Sequence, residues 1–410
     1  MIRTLLLLGA TGDLARRFLL PALGALNAAG SLPDGFRVVG AARGELDERG
    51  IERLAGEDIP KEMLAYRAVD LADPSTIAAA LGRTTEPVAV YLALPPVAFA
   101  TTIESLGDVG LPSGSRIAVE KPFGDDLESA RELNNLLAQT GVDAYRIDHV
   151  LGMETVRNLV AMRRENPILE ALWDSRSVEQ VEILWEETLA LEGRAGYYDQ
   201  SGALKDVLQN HMLQLLTLVA VDASNDDPLH ERKLEALMSV GAAMNSRRAR
   251  YTAGTLADGR QVAGYSDEEG VDPARCTETF AEVVFELEAP RWTDTRFVLR
   301  AGKALSERRK LVLLRFRDRS ELELGIDGPE DVVLRLSGAS PDRIELRAAV
   351  PGDGLPAYAH VLLDVLSGTS TLSVSGDEAE QSWRVVSPIL AAWERGVVPL
   401  EEYPAGSAGP

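Results

Sequence analysis

The sequence predicts an α/β protein, with a doubly wound parallel sheet at the N-terminal end and an α+β domain with a large antiparallel sheet at the C-terminal end. Over residues 1 to about 140, short and almost wholly apolar runs alternate with helical patterns, which is typical of strands covered on both faces by helices. Beyond residue 150, segments of alternating polarity follow a long amphipathic helix. We therefore predict two domains, residues 1–148 and 149–410.

The strands of the first domain are predicted from four apolar runs. These are RTLLLLGA (3–10), FRVVGAA (36–42), VAVYLAL (88–94) and SRIAVE (115–120). A helical stripe over residues 13–30 follows the first run and stops at Gly30. The prolines of ALPP (93–96) close the third run and place a loop at the carboxyl end of a strand, where open α/β sheets bind ligands.

The second domain is predicted to combine helices with one antiparallel sheet. Its long amphipathic helix covers residues 202–222. Its strands are predicted at ARYTAG, TFAEVVFELE, TRFVLRAG, KLVLLRFR and DVVLRLSG. Two helical segments follow, and the last eight residues, YPAGSAGP, are predicted to be Pro/Gly coil.

Composition excludes several classes of function. The 410 residues are 45% hydrophobic and carry a formal net charge of −22, which disfavours nucleic acids and anionic membranes as partners and favours small metabolites. The single cysteine, Cys276, excludes an intramolecular disulfide, and no run approaches the ~20 apolar residues of a membrane span. We predict a cytoplasmic protein. The four histidines lack ligand spacing, so no metal site is predicted.

A glycine-containing turn follows the first predicted strand. In LLLLGATGDLARR, Gly9 and Gly12 lie between a strand and a helix that starts near Asp13. Glycines there allow a tight turn and let backbone N–H groups at the helix start approach a pyrophosphate. The G-x-x-G spacing is shorter than the full G-x-G-x-x-G pattern, so an ordinary βα turn is the alternative interpretation.

The second strand indicates which dinucleotide would bind. A cofactor without a 2′-phosphate usually meets an acidic residue at the end of this strand, whereas a 2′-phosphate meets arginine. Here Arg43 occupies that place, and the first carboxylate is Glu45. The sequence therefore favours NADP, with NAD as an alternative cofactor and a solvated surface arginine as the alternative interpretation.

Two segments contain candidates for proton transfer. Lys121 follows a predicted parallel strand in VEKPFG, and Asp148 and His149 are adjacent in RIDHVLG. His211 lies on the apolar stripe of the long helix, so a buried structural histidine is the alternative. An Asp–His pair from two elements is, however, a common way to orient a base that removes a hydroxyl proton, as hydride transfer to NADP requires.

Several long segments carry a resemblance to a known family. In chain order they are GATGDLA, VEKPFG, YRIDHVLG, RAGYYDQSGALKDVLQNHMLQ, TETF, PRW, LRAGKALSER and YPAGSAGP. The chain resembles the glucose-6-phosphate dehydrogenase family from its first strand to its last residues. The resemblance implies NADP-dependent oxidation of the anomeric carbon of an aldohexose or hexose 6-phosphate to a lactone, and a homodimer or homotetramer.

The resemblance also implies roles for individual residues. His211 matches the general base, Asp148 the carboxylate that orients it, and Lys121 a lysine that contacts both sugar and cofactor. The residues implied to bind the sugar phosphate are His149, Glu187, Asp206, Lys303 and Arg308. The residues predicted to contact the cofactor are Gly9, Thr11, Gly12, Asp13, Leu14, Arg43, Pro95 and Lys121.

Three positions depart from the family pattern. Val150 and Met153 replace a tyrosine and a lysine of the usual R-I-D-H-Y-L-G-K segment, and Phe18 replaces a lysine that follows the glycine turn. Losing a hydroxyl and an ammonium group weakens phosphate binding. Two alternatives therefore stand beside the leading hypothesis: a dehydrogenase of a non-phosphorylated or modified sugar, and a non-catalytic nucleotide-binding paralogue.

Overall fold

The computed structural model describes residues 1–56, 58–191, 193–328, 330–338 and 343–410. The strands are β1 Thr4–Leu8, β2 Arg37–Ala42, β3 Leu64–Ala68, β4 Val88–Leu92, β5 Arg116–Glu120, β6 Asp143–Ile147, β7 Val178–Glu186, β8 Asn245–Thr252, β9 Gly254–Thr255, β10 Gln261–Val262, β11 Phe280–Glu286, β12 Arg296–Gly302, β13 Arg309–Phe316, β14 Glu321–Gly325, β15 Asp331–Leu336, β16 Ile344–Ala349, β17 Ser373–Val374 and β18 Leu400–Pro404.

The α-helices alternate with the strands in the first part of the chain. They are α1 Leu20–Ala28, α2 Glu48–Ala55, α3 Pro74–Leu81, α4 Phe99–Val109, α5 Leu127–Gln139, α6 Glu154–Glu165, α7 Pro167–Glu170, α8 Ala195–Tyr198, α9 Leu213–Ala220, α10 Leu229–Met238, α11 Ala357–Ser367 and α12 Gly376–Glu394. Two π-helical segments, Ala15–Leu19 and Leu204–Met212, lead directly into α1 and α9. One of several short 3-10 turns covers His149–Gly152.

The chain forms two compact units. The first contains residues 1–153 and 352–380, and the second contains residues 154–351 and 381–410. Helix α11 therefore belongs to the first unit although it follows β16 of the large sheet in the chain. The sequence predicts a boundary at residue 148 between a dinucleotide-binding domain and a substrate domain. A division into compact units does not test where these functions lie, so this boundary stays a prediction.

The first unit contains the predicted doubly wound sheet. Its strand order is β17-β6-β5-β4-β1-β2-β3, with β1 to β6 parallel and β17 antiparallel to β6. Every residue of β4 and residues 5–8 of β1 are completely buried, which explains the continuous apolar runs. The strand order reverses between β1 and β4, so their carboxyl ends form the switch point of the sheet.

Aspartates begin three of the helices that cover this sheet. Asp47, Asp73 and Asp126 accept hydrogen bonds from backbone N–H groups in the first turns of α2, α3 and α5. Each carboxylate satisfies a donor that the helix itself cannot pair, and its negative charge is favourable at a helix N-terminus. These caps fix where the crossover helices begin.

The second unit is built on a nine-stranded sheet, in agreement with the predicted α+β domain. Its order is β16-β15-β14-β13-β7-β12-β11-β8-β18. Neighbouring strands are antiparallel except for the pairs β7/β12 and β8/β18. Within the described residues, no helix is long and apolar enough to cross a membrane.

The prediction of coil for the last residues is wrong at their start. Tyr403 and Pro404 belong to β18, which pairs in parallel with β8. Tyr403 is buried, and its hydroxyl group donates a hydrogen bond of 2.7 Å to the carbonyl oxygen of Lys303. Proline at the strand end and the glycines beyond it hid this pairing, because they are typical of coil.

Candidate active site

The turn after β1 needs glycine at its first position. Gly9 has φ +85°, and a Cβ atom there would lie 2.2 Å from the carbonyl oxygen of Ala93 at the end of β4. The N–H of Gly9 donates to Ala41 (2.8 Å), and the N–H of Gly12 donates to Gly9 (2.9 Å). The backbone of the turn therefore packs directly against the end of β4 at the switch point, and a side chain at position 9 would clash with it.

The other predicted cofactor residues lie along the same edge of the sheet. Thr11 and Leu14 are half-buried in the turn, whereas the Asp13 carboxylate is exposed and pairs with Arg17 at 3.1 Å. Arg43 and Pro95 are exposed just beyond the carboxyl ends of β2 and β4. A glycine turn at the switch point and an exposed guanidinium group one strand away fit a dinucleotide with a 2′-phosphate.

Lys121 and Asp148 follow neighbouring parallel strands. Lys121 comes directly after β5, and Asp148 comes directly after β6, which pairs with β5. Asp148 is fully buried, and its Oδ1 accepts a hydrogen bond of 3.1 Å from the N–H of Val150. This bond begins the 3-10 turn that presents the half-buried His149.

A buried hydrogen-bond network that the sequence did not reveal lies beside these residues. Glu120 is 7% exposed, and it accepts a hydrogen bond of 2.5 Å from the hydroxyl of Tyr91 and another from the hydroxyl of Tyr358. Burial raises the pKa of Glu120 to about 7 and outweighs the hydroxyl donors and Lys121, which lower it, while the charge of Asp148 raises it further. Tyr358 comes from α11, and no local pattern indicates this contact.

In the second unit, Glu187 lies between two lysines. It forms an ion pair with Lys303, and its Oε1 lies 3.2 Å from Nζ of Lys310. Burial raises the pKa of Glu187, but the two ammonium groups together outweigh it and leave the pKa below its ordinary value. Glu187 is therefore an ionised carboxylate that can accept hydrogen bonds, which suits its predicted role of binding sugar hydroxyl groups.

Lys310 and Asp327 extend this cluster and were not predicted. Lys310 lies 3.1 Å from Asp327, which also pairs with Arg308 at 2.6 Å. The ammonium group of Lys310 also lies 4.6 Å from the ring centre of Trp185. The structure thus links three predicted substrate residues, Glu187, Lys303 and Arg308, through a lysine and an aspartate that no sequence motif marks.

His211 lies on a π-helical segment and not on a regular α-helix. It is 3% exposed, and its ring centre is 5.2 Å from that of Trp185. In an α-helix, residues five apart point about 140° away from each other, whereas the wider i→i+5 helix reduces this angle considerably. The wider helix therefore brings Asp206 and His211 toward the same side, which the predicted α-helix over 202–222 would not do.

Glu278, in the loop that precedes β11, holds the start of this π-helix. Its Oε1 accepts a hydrogen bond of 2.9 Å from the N–H of Leu204, and its carbonyl oxygen accepts one of 3.1 Å from Ala203. Gly202, with φ +66°, packs on this carboxylate so closely that a Cβ atom would lie 2.4 Å from Oε1. Burial raises the pKa of Glu278 to about 7, although Leu204, Lys205 and Arg248 lower it.

The predicted site residues divide between the two units. Lys121, Asp148 and His149 share one sheet edge of the first unit, whereas His211, Glu187 and Lys303 are placed around Trp185 and Lys310 in the second. The two members of the predicted Asp148–His211 pair thus belong to different units, and their pairing stays a prediction.

A parallel sheet with this strand order and turn, followed by a domain with a cluster of carboxylates and lysines, defines a dinucleotide-dependent oxidoreductase class. Comparison with models of known protein families supports this class. The NAD binding domain of glucose-6-phosphate dehydrogenase matches residues 6–158, and the C-terminal domain of the same enzyme matches residues 160–355 and 343–410.

Individual relatives match along almost the whole chain. Glucose-6-phosphate 1-dehydrogenase of Gluconobacter oxydans is 36% identical over 98% of this chain and 93% of its own length, and that of Treponema pallidum is 34% identical over 99% and 92%. A solved glucose-6-phosphate dehydrogenase in complex with glucose 6-phosphate superposes with a TM-score of 0.90 at 29% identity, covering 100% of this chain and 96% of that one. The chain belongs to the glucose-6-phosphate dehydrogenase family.

Proposed function

We propose that the protein oxidises C1 of glucose 6-phosphate to the lactone with NADP as the hydride acceptor. The observation that carries this proposal is the likeness, over the whole chain, to a structure solved with glucose 6-phosphate. The Gly9 turn and the exposed Arg43 support NADP, because a turn without a side chain at the switch point leaves room for a pyrophosphate and the arginine charge fits a 2′-phosphate.

In this proposal His211 removes the proton of the C1 hydroxyl group as the C1 hydride leaves. NADP, when bound, supplies the acceptor for that hydride. Asp148 orients His211 and stabilises the imidazolium that forms, while Glu187 and Asp206 accept hydrogen bonds from sugar hydroxyl groups. Lys303, Arg308 and His149 supply positive charge toward the phosphate, and Lys121 contacts sugar and cofactor.

A second candidate is a dehydrogenase of a non-phosphorylated or modified sugar. Val150 and Met153 favour it, because neither provides the hydrogen bond or charge of the residues that it replaces. Phe18 points the same way, since its ring is 41% exposed where the family pattern has a lysine. The two candidates differ in the discrimination between glucose 6-phosphate and glucose.

A substrate panel tests both candidates. We expect NADPH absorbance to rise with glucose 6-phosphate, and kcat/KM for it to exceed that for glucose by on the order of 100-fold, since a phosphate contact contributes a few kcal/mol. Equal use of glucose would favour the second candidate. No turnover of any sugar would contradict the proposed oxidation.

His211→Asn separates chemistry from binding. Without the base, kcat should fall by about 100-fold or more, whereas NADP binding followed by fluorescence should persist. His230→Asn is the matched control, because His230 is exposed on α10 and should leave kcat unchanged. An unchanged kcat in His211→Asn would remove His211 from the mechanism.

We also propose a cytoplasmic homodimer or homotetramer. One face of the nine-stranded sheet bears a charge-paired set of side chains. It comprises Arg247, Arg300, Arg309, Arg315, Arg335, Glu182, Glu186, Glu282, Glu321, Glu323 and Glu401. This set is nearly neutral in a chain of net charge −22, so a second copy would meet little repulsion there. A single cysteine is compatible with a reducing compartment.

A further inference from the structure

Tyr358 lies in contact with two residues of the first unit, His149, which is proposed to bind the phosphate of the sugar, and Phe18. Its ring stacks on His149 with 5.4 Å between centroids and 18° between planes, and it meets Phe18 at 5.6 Å. Tyr358 itself is 8% exposed. The aromatic cluster Phe18–Tyr358–His149 thus joins residues from three distant parts of the chain.

The backbone holds Tyr358 against His149. Helix α11 begins at Ala357, and a Cβ atom on Gly152 would lie 2.3 Å from the Ala357 carbonyl oxygen. The first turn of α11 and the 3-10 turn of His149 are therefore in direct contact, which only glycine at position 152 allows. This contact fixes the backbone from which the Tyr358 ring extends toward His149.

The hydroxyl end of Tyr358 is held as well. It donates a hydrogen bond to Glu120, whose other donor is the fully buried Tyr91. The charges of Lys121 and Asp148 both act on this carboxyl group, Lys121 lowering its pKa and Asp148 raising it. A ring that is fixed at its hydroxyl, at its backbone and by buried packing has a single orientation, which is what a platform for another ring requires.

We propose that Tyr358, anchored by Glu120, is a positioning residue that sets the ring orientation of His149 for the phosphate of the sugar. This inference rests on the proposed function. A tyrosine face favours a protonated imidazole through a cation–π contact, and the protonated ring is the form that pairs with a phosphate dianion. Because Val150 and Met153 supply no polar contact, the orientation of His149 gains importance in this chain.

Two substitutions test the proposal. Tyr358→Leu removes the ring, and Tyr358→Phe keeps the ring but removes the bond to Glu120. We expect KM for glucose 6-phosphate to rise about tenfold in Tyr358→Leu and less in Tyr358→Phe, with kcat and KM for NADP changed less than about twofold. Tyr145→Phe, a buried tyrosine of β6 outside the cluster, should leave all three constants unchanged.

A second measurement does not depend on activity. The chain has four histidines, so the imidazole proton resonances of His149 can be assigned by comparison with a His149→Gln variant. In the native protein the ring current of Tyr358 should shift these resonances upfield, and Tyr358→Leu should remove that shift. Unchanged resonances together with an unchanged KM would overturn the positioning role. If the native enzyme fails to oxidise glucose 6-phosphate, the proposed function fails, and the resonances still decide the inference.

Discussion

At the scale of single residues, Arg43 is the residue on which the choice of cofactor depends. It is exposed beyond the end of β2, next to Gly44, whose carbonyl oxygen accepts a 2.6 Å hydrogen bond from the buried Tyr66. That bond fixes the loop that carries Arg43 just beyond the carboxyl end of β2. An exposed arginine on a fixed loop distinguishes NADP from NAD by charge, because only NADP carries a 2′-phosphate.

We predict that Arg43→Ala raises KM for NADP by roughly 30-fold, because a charge-assisted contact contributes about 2 kcal/mol, with kcat nearly unchanged. Steady-state rates with NADP and with NAD at saturating glucose 6-phosphate measure this. KM for NAD should hardly change. Arg37→Ala, at the other end of the same strand and bonded to Thr4, is the matched control. Equal losses with both cofactors would contradict a 2′-phosphate contact.

The three departures from the family pattern also act at this scale. Val150 is fully buried and serves the core, so its position no longer offers a polar group to a ligand. Phe18 keeps an exposed ring 5.6 Å from Tyr358, with the Arg17 guanidinium group 5.2 Å from its centre. At both places an apolar side chain stands where the family pattern has a polar or charged one. In the proposed function, recognition of the phosphate therefore depends on His149, Lys303 and Arg308.

At the scale of elements, sequence patterns predicted the alternation of strands and helices in the first domain, but only some of the strands. The predicted strands are β1, β2, β4 and β5 of the first sheet and β8, β11, β12, β13 and β15 of the second. The patterns predicted these strands because burial on both faces leaves continuous apolar runs, and half-buried strands alternate. The π-helix at Leu204–Met212 escaped prediction, since apolar spacing does not distinguish i→i+4 from i→i+5 bonding. Tyr358 and Lys310 escaped because each meets its partners only after distant parts of the chain have packed together.

Glu278 gives the π-helix a pH dependence. Its pKa is about 7 in the folded protein, above the ordinary 4.5, so folding binds a proton in that range. This stabilisation is fully present below pH 4.5 and is lost as pH rises through 7, a change on the order of 3 kcal/mol. We predict that the stability of Glu278→Gln relative to the native protein rises by about this amount from pH 5 to pH 8.

Urea unfolding of both proteins at several pH values measures this difference. Glutamine keeps a carbonyl acceptor for Leu204 but has no titrating group, so it removes the pH dependence without removing the cap. Glu179→Gln, an exposed residue of β7, is the control and should leave the pH profile unchanged. Parallel profiles for the native protein and Glu278→Gln would show that the Glu278 carboxyl group titrates at its ordinary pKa.

At the scale of the whole molecule, the excess negative charge of the chain is not shared by the charge-paired face of the large sheet. The chain carries −22 overall, yet the charge-paired face of the large sheet combines arginines and glutamates in bonds such as Arg315–Glu182 at 2.5 Å and Arg335–Glu323 at 2.7 Å. Edge strand β16 beside it exposes about half of Ile344 and Leu346. Two copies related by a two-fold axis would present the same balanced face to each other.

We predict that light scattering finds the native protein at two or four times the 44.3 kDa of one chain. Reversing Arg315 and Arg335 to glutamate places like charges on both sides of a two-fold interface, so the double variant should fall to the mass of one chain at micromolar concentration. Arg176→Glu is the control, because Arg176 is 82% exposed and pairs with Asp174 away from this face. Circular dichroism checks that the variants fold. A native monomer would contradict the proposed assembly, and a double variant that folds and stays oligomeric would place the interface elsewhere.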